Sequence, residues 1–363
     1  MKVIVAMSGG VDSSVAAYLL KKKGFDVIGL SFELWDKRDL KSSDTCCSVE
    51  TVELAQSVAM KLGIEHYTVD VRDSFYRHVI ETFCESYIEG ITPNPCILCN
   101  KYIKFNFLLK KAEEMGAQAV ATGHYARIEK DRAAEGEQGR TNNGKRFLLK
   151  KGLDPGKDQS YVLYVMKQEE LAMTLFPLGE MKKDMTRSIA RDLALANALR
   201  AESQEICFVG SNTYADFIRE FSPGALQPGA ILDTRGKVVG RHKGIALYTI
   251  GQRKGLGIPS LKAHYVAEID RRNNTITVGS REDAMSKVFT VKNVNWIAVD
   301  SLKGPVRSGV KIRSTMKEAP AVISPAAQGR VIAALDEPQW APAPGQSAVF
   351  YSGDIVLGGG IIE

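Results

Sequence analysis

A chain of 363 residues with 44% hydrophobic and 25% charged content has the makeup of a globular protein, and it is too long for one ordinary core, so two or three domains are expected. No apolar stretch approaches the roughly 20 residues of a membrane span, and the N-terminus runs directly into a strand-like segment without a signal or transit peptide, which predicts a cytoplasmic protein with no membrane partner. The net charge of +6 is mild support for a polyanionic partner and decides nothing alone.

The apolar run Val3-Ile4-Val5-Ala6 predicts a strand buried on both faces, and Val15, Ala16, Leu19 and Leu20 then recur at helical spacing until Gly24. Between them lies Met7-Ser8-Gly9-Gly10-Val11-Asp12-Ser13-Ser14, and a strand over Val27 to Phe32 follows. Gly9 and Gly10 let backbone N–H groups close around an anion, Ser8, Ser13 and Ser14 add hydroxyls, and the helix N-terminus adds partial positive charge, so the segment predicts a phosphate cradle. It lacks both the Gly-Lys-Ser/Thr ending of a Walker A loop and the G-x-G-x-x-G dinucleotide fingerprint. It resembles the SGGxDS loop of the PP-loop pyrophosphatases, enzymes that cleave ATP between its α and β phosphates.

Further along, a helix over Val49 to Leu62 and a strand near His66 to Val69 continue the alternation of a parallel sheet, with helices predicted around Phe75 to Ile88 and Lys104 to Glu114. Between those helices, Asn94-Pro95-Cys96-Ile97-Leu98-Cys99-Asn100-Lys101 carries a Cys-x-x-Cys pair, which in this setting points to exchange chemistry or metal ligation. Lys101, Lys104, Lys110 and Lys111 read as one wet helix face, with Tyr102, Phe105 and Phe107 as core. The run Ala117 to Thr122, closed by Gly123-His124-Tyr125, is a strand whose carboxyl end is suited to ligand binding. Glu129 to Arg146 is polar and predicts an exposed loop, and a helix over Lys182 to Leu199 closes this region near Cys207. Cys46, Cys47 and Cys84 have no comparable context and are read as structural.

Beyond the Pro/Gly punctuation at Ser222-Pro223-Gly224 and Gln227-Pro228-Gly229, short β-rich runs replace helical periodicity. Tyr265 to Ile269 and Thr275 to Val278 predict a hairpin across Asn273-Asn274, and Val288 to Val299, Gly309 to Thr315, Arg330 to Leu335 and Ser347 to Ile362 predict strands of a small barrel. The predicted class is α/β. It comprises an N-terminal doubly wound parallel-sheet domain over 1–211, a small central domain over 212–280 and a C-terminal β-barrel over 281–363.

The whole chain resembles the tRNA-specific 2-thiouridylases, through SGGVDSS (8–14), NPCILCNKYIKF (94–105), ATGHYA (121–126), GKDQSYVL (156–163), ESQEICFVG (202–210) and YTIGQRKGLGI (248–258). The resemblance implies ATP contacts at Ala6, Met7, Ser8, Gly9, Gly10, Val11, Asp12, Ser13, Phe32 and Gly123, with Mg2+ and pyrophosphate held by Asp12 and the loop serines. It implies target-base contacts at Asn94, Pro95 and Cys96, and tRNA contacts at His124, Lys157, Asp158, Gln159, Arg313, Ser314 and Gln346. Cys99 matches the family's nucleophile and Cys207 its persulfide carrier. The implied partners are the tRNA anticodon loop and a persulfide donor such as a cysteine desulfurase or a sulfur-relay protein. Two positions depart from the family pattern: Cys96 stands where many members carry an acidic residue, and Ser314 follows Arg313 where many have tyrosine. Cys96 leaves a second mechanism open, in which Cys96, Cys99 and Cys207 ligate a [4Fe-4S] cluster. Rival readings are a PP-loop synthetase acting on a small molecule and a non-catalytic RNA-binding protein.

Overall fold

The computed structural model describes residues 1–34, 49–131, 146–200, 206–209, 213–259 and 262–363. Cys46, Cys47, residues 132–145 of the polar segment, and residues 202–205 and Gly210 of the ESQEICFVG motif lie outside them.

Five parallel strands form the first sheet: β1 (Lys2–Ala6), β2 (Asp26–Glu33), β3 (Glu65–Asp70), β4 (Ala119–Ala121) and the two-residue β7 (Thr174–Leu175), in the order β3-β2-β1-β4-β7. β1 is buried on both faces, as its unbroken apolar run requires. Val3 and Val5 pack with helices α1 (Val11–Lys22) and α2 (Val49–Leu62), whereas Ile4 packs on the opposite face with Leu108 and Ala112 of the helix Phe105–Glu114. The sheet is therefore wrapped on both sides, and the carboxyl ends of β1, β2 and β4 open toward the motifs.

The long helix expected over Phe75 to Ile88 is present, but a π-helical turn, Tyr76–Glu81, interrupts it, and a second, Asn100–Lys104, follows the cysteine pair. The helix expected over Lys182 to Leu199 stops earlier, at Lys183–Asp192, because Ala194 takes a left-handed conformation (φ 46°). That break frees Asn197 to reach the glycine loop. The polar stretch from Glu129 is not loop at its edges. Ala126–Lys130 (β5) pairs antiparallel with Phe147–Lys151 (β6), and the ladder is extended by Asp131 N–H donating to Arg146 O at 2.8 Å.

The middle region holds a four-stranded sheet of β8 (Gly229–Asp233), β9 (Val238–His242), β10 (Tyr265–Asp270) and β11 (Thr275–Gly279), with β10 and β11 forming the expected hairpin. Its Ile231, Val266 and Ile276 pack into one core with Phe75, Phe83, Phe208 and Phe217. The C-terminal region closes six strands into a barrel: β12 (Met285–Trp296), β13 (Val306–Lys311), β14 (Ala319–Pro325), β15 (Val331–Trp340), β16 (Ser347–Ser352) and β17 (Ile355–Ile362), with β12 meeting β17 to seal it. β14 escapes sequence reading because Pro320 and Pro325 interrupt its pattern. The expected strand over Gly309 to Thr315 ends at Lys311, and Arg313 and Ser314 instead enter a turn closed by Met316 N–H donating to Arg313 O. β6 of the first domain adds onto β17 through Lys150 opposite Ile355, so the β5–β6 hairpin extends the barrel's sheet.

Phe350 is fully buried in the barrel core, with its ring 5.8 Å from that of Trp296. Phe350→Ala is expected to cost about 3–5 kcal/mol of barrel stability. In urea titration followed by Trp296 fluorescence it should lower the midpoint, whereas an unchanged midpoint would contradict this placement.

Candidate functional site

The chain leaves β1 into Ser8-Gly9-Gly10 and then α1. Gly9 has φ +71°, and a Cβ there would stand 2.3 Å from Thr51 O, so glycine is required on both counts. Ser13 and Ser14 hydroxyls both donate to Gly10 O at 3.0 Å, and Ser8 N–H donates to Ser13 Oγ at 3.2 Å. In this structure the two hydroxyls are turned inward and hold the loop's shape. The backbone N–H groups of the loop and the α1 N-terminus are the groups here that favour an anion.

Asp12, in the first turn of α1, accepts from Lys183 Nζ at 2.7 and 2.8 Å and from the Tyr125 hydroxyl at 2.8 Å; Tyr125 Oη also lies 3.0 Å from Thr186 Oγ1. Asn197 Nδ2 reaches Gly9 O at 2.9 Å and Ser14 Oγ at 2.8 Å. Gly123 abuts the same turn, since a Cβ on it would lie 2.7 Å from both Asp12 C and Ser13 N. Lys183 and Asn197 were not anticipated. Lys183 opens a polar helix and Asn197 sits in an Ala/Leu-rich run with no motif around it, and only their burial, with Asn197 1% exposed, sets them apart. Asp12 already has a cation beside it, so its carboxylate orients the loop.

Ala6, Met7 and Ser8 from the first strand end, with Leu30, Phe32 and Leu34 from the second, line an apolar pocket beside this loop, suited to a flat heterocycle. Val11 begins α1 behind it.

A second, open cavity of about 1060 Å3 lies between the first domain and the barrel, lined by Cys96, His124, Lys157, Asp158, Gln159 and Ser314 among others. Five lysines (104, 151, 157, 311 and 317) face it against two carboxylates, Asp158 and Glu318, which favours an anionic guest. Asp158 and Gln159 are committed to the protein itself: Asp158 Oδ1 accepts from Gly152 and Ser160 N–H at 3.1 and 3.0 Å, and Gln159 Oε1 from Tyr125 N–H at 2.9 Å. They shape the wall that carries Lys157. Ser314 also borders an adjoining cavity of about 400 Å3 with Arg313 and Gln346. There Arg313 donates to Ala341 O at 2.9 Å, and Gln346 Nε2 donates to Thr92 O and Pro93 O at 3.3 Å, fixing the strap that leads into Asn94.

Asn94 caps the helix Pro95–Cys99, its Oδ1 accepting from Ile97 N–H at 3.4 Å, with Pro95 at the first helical position. Cys96 is exposed to the basic cavity, whereas Cys99 turns into the core, where Cys207 packs against the same cluster. Phe208 anchors Cys207 by edge contacts to Phe75, Phe83 and Phe217 at 5.9, 5.1 and 5.3 Å. Among the described residues no group of three or more His, Cys, Asp or Glu is gathered as a metal site. Cys84 is buried, and burial pushes its thiol up to about 12, an unreactive value. His124 lies 2.6 Å from Thr122 Oγ1; burial, and then the nearby Lys104 charge, hold its imidazole well below the usual range. Among the described residues no helix is long and apolar enough to cross a membrane.

A parallel sheet with this loop at its carboxyl ends, joined to a basic cavity roofed by a β-barrel, defines a PP-loop type of ATP-using enzyme with a large polyanionic substrate. Family profiles match along the chain: a "tRNA methyl transferase HUP domain" over 1–211, a "tRNA methyl transferase PRC-barrel domain" over 215–280 and an "Aminomethyltransferase beta-barrel domain" over 286–362. The tRNA-specific 2-thiouridylase MnmA 2 of Caldanaerobacter subterraneus is 50% identical over all of this chain and 98% of its own length. That of Clostridioides difficile is 47% identical, with the same coverage. Among solved structures, NMN synthetase from Francisella tularensis aligns over 61% of this chain and 76% of its own at 19% identity and a TM-score of 0.33, too loose to carry an argument. The chain belongs to the tRNA-specific 2-thiouridylase family.

Two measurements probe the site. Gly123→Ala should weaken ATP binding at least about tenfold by calorimetry while the fold persists, because the new methyl displaces the Asp12–Ser13 backbone; unchanged affinity would remove Gly123 from the site. His124 should give neutral-imidazole NMR shifts at pH 6, where a solvated histidine is mostly protonated, and a midpoint at 6.5 or above would contradict its burial.

Proposed function

We propose that this protein places sulfur on C2 of the wobble uridine in the anticodon loop of tRNA, in the cytoplasm, cleaving ATP to AMP and pyrophosphate. The observation that supports this reading best is the meeting of an apolar pocket beside the glycine loop with a basic cavity of about 1060 Å3, bordered by Cys96 and with room for an unstacked nucleotide.

Oxygen at C2 of uracil is a poor leaving group. Bound ATP with Mg2+ supplies an electrophilic α-phosphorus and a pyrophosphate leaving group. The loop N–H groups and the α1 N-terminus grip the pyrophosphate half, and Asp12, fixed by Lys183 and Tyr125, keeps that turn rigid. The uracil O2 attacks phosphorus and pyrophosphate departs with the bonding electron pair, while the N3 proton is lost. The terminal sulfur of a persulfide on Cys207 then attacks C2, AMP leaves with the former O2, and the persulfide proton returns to N3. Cys99 thiolate attacks Cys207 Sγ, releasing 2-thiouridine and leaving a Cys99–Cys207 disulfide, which an external dithiol must reduce. Location of both cysteines in one packed cluster supports this exchange. Lys157 and the other cavity lysines are read as phosphate contacts, with Cys96, Asn94 and Pro95 against the base. The persulfide would come from a cysteine desulfurase or a relay protein.

Asp12→Ala should abolish tRNA-dependent release of AMP and pyrophosphate while leaving tRNA affinity within a few fold, since loop and basic surface serve different ligands. Normal turnover would overturn the ATP assignment. Cys96→Ala should retain substantial thiolation, and protein purified without oxygen should be colourless. A brown preparation with about four irons per chain, losing iron and activity on Cys96→Ala, would instead support the cluster mechanism.

A further inference from the structure

Lys104 stands where the two cavities meet. It lines the apolar pocket with Ala6, Met7 and Ser8, and it also lines the basic cavity with Cys96 and His124; among the described residues it alone is shared by the two walls. Helical periodicity assigns it to a wet face with Lys101, Lys110 and Lys111, yet Lys101 and Lys110 are exposed and Lys111 pairs with the exposed Glu114, whereas Lys104 is half-buried against the two cavities. The cause is the π-helical turn Asn100–Lys104, in which Phe105 N–H donates to Asn100 O five residues back. The extra residue in that turn shifts the phase of the helix, and the fully buried Phe105, with its ring 6.2 Å from His124, locks the new phase in place.

We propose that Lys104 is a further catalytic residue, whose ammonium contacts the non-bridging oxygens of the α-phosphoryl group during its transfer to the base. This rests on the thiolation reading above. With pyrophosphate held at the loop and the base entering from the basic cavity, the α-phosphorus is the one phosphate approached from both sides, and a cation on both walls lies against it. As the bond from O2 to phosphorus forms and the bond to the bridging oxygen breaks, negative charge builds on those oxygens and on the departing pyrophosphate. A fixed ammonium stabilises that charge without transferring a proton.

The test compares wild type with Lys104→Ala and Lys104→Arg in tRNA-dependent AMP release at saturating ATP and tRNA, with ATP and tRNA affinities measured separately. The expected result is a fall in kcat of about 100-fold or more for Lys104→Ala, affinities within about threefold, and partial recovery as methylamine is added. A merely structural role would not yield amine rescue. Lys104→Ala activity within threefold of wild type, or a defect traced to lost ATP or tRNA affinity with no amine rescue, would overturn the proposal. Failure of wild type itself to release AMP with tRNA would overturn the thiolation reading and this inference together, whereas an active wild type with an unaffected variant sinks this inference alone.

Discussion

The ion pair between Lys183 and Asp12 is the constraint on which the rest of the site depends. It joins the first turn of α1 to the helix Lys183–Asp192, and Tyr125 extends it, donating its hydroxyl to the same carboxylate. Tyr125 also exchanges backbone bonds with Gln159, its N–H donating to Gln159 Oε1 and its carbonyl accepting from Gln159 N–H at 2.9 Å. One carboxylate thus ties the glycine loop to the segment that presents Lys157 to the basic cavity. Removing Asp12 leaves the buried Lys183 ammonium without its counterpart.

A second set of bonds holds the barrel over that cavity. The Tyr161 hydroxyl donates to Ser347 O at 2.8 Å, Arg127 reaches Asp354 at 2.7 Å, and Gln346 grips the strap before Asn94. The β5–β6 hairpin continues the barrel's sheet, so the first domain and the barrel share hydrogen-bonded strands as well as packed faces. Through these contacts the turn at Arg313 and Ser314 is brought beside the cysteine-bearing helix.

Much of this was legible because local chemistry and global position agree. The apolar run at Val3 to Ala6 must be buried on both faces, and a glycine pair directly after it must form a tight loop. The Asn-Asn turn at 273–274 announced its hairpin. What escaped reading depends on long-range contacts. Asn197 looks like any polar residue after a helix until it bonds Gly9 O, and Lys183 looks solvated until it meets Asp12. The inward hydroxyls of Ser13 and Ser14 could not be told from outward ones, because both orientations suit the same residues. Lys104 misled through phase: a one-residue π insertion leaves no mark on composition, yet it turns a wet-face lysine toward two cavities.

The proposed thiolation requires a nucleotide and an unstacked base on opposite sides of one phosphorus atom, with the thiols of Cys99 and Cys207 within reach. The most direct test follows the oxygen. When tRNA bearing 18O at C2 of the wobble uridine is thiolated by the enzyme in ordinary water, the released AMP should carry one 18O in its phosphate by mass spectrometry. Unlabelled AMP formed alongside 2-thiouridine would contradict adenylation of the base oxygen and, with it, the role assigned to the adjoining cavities.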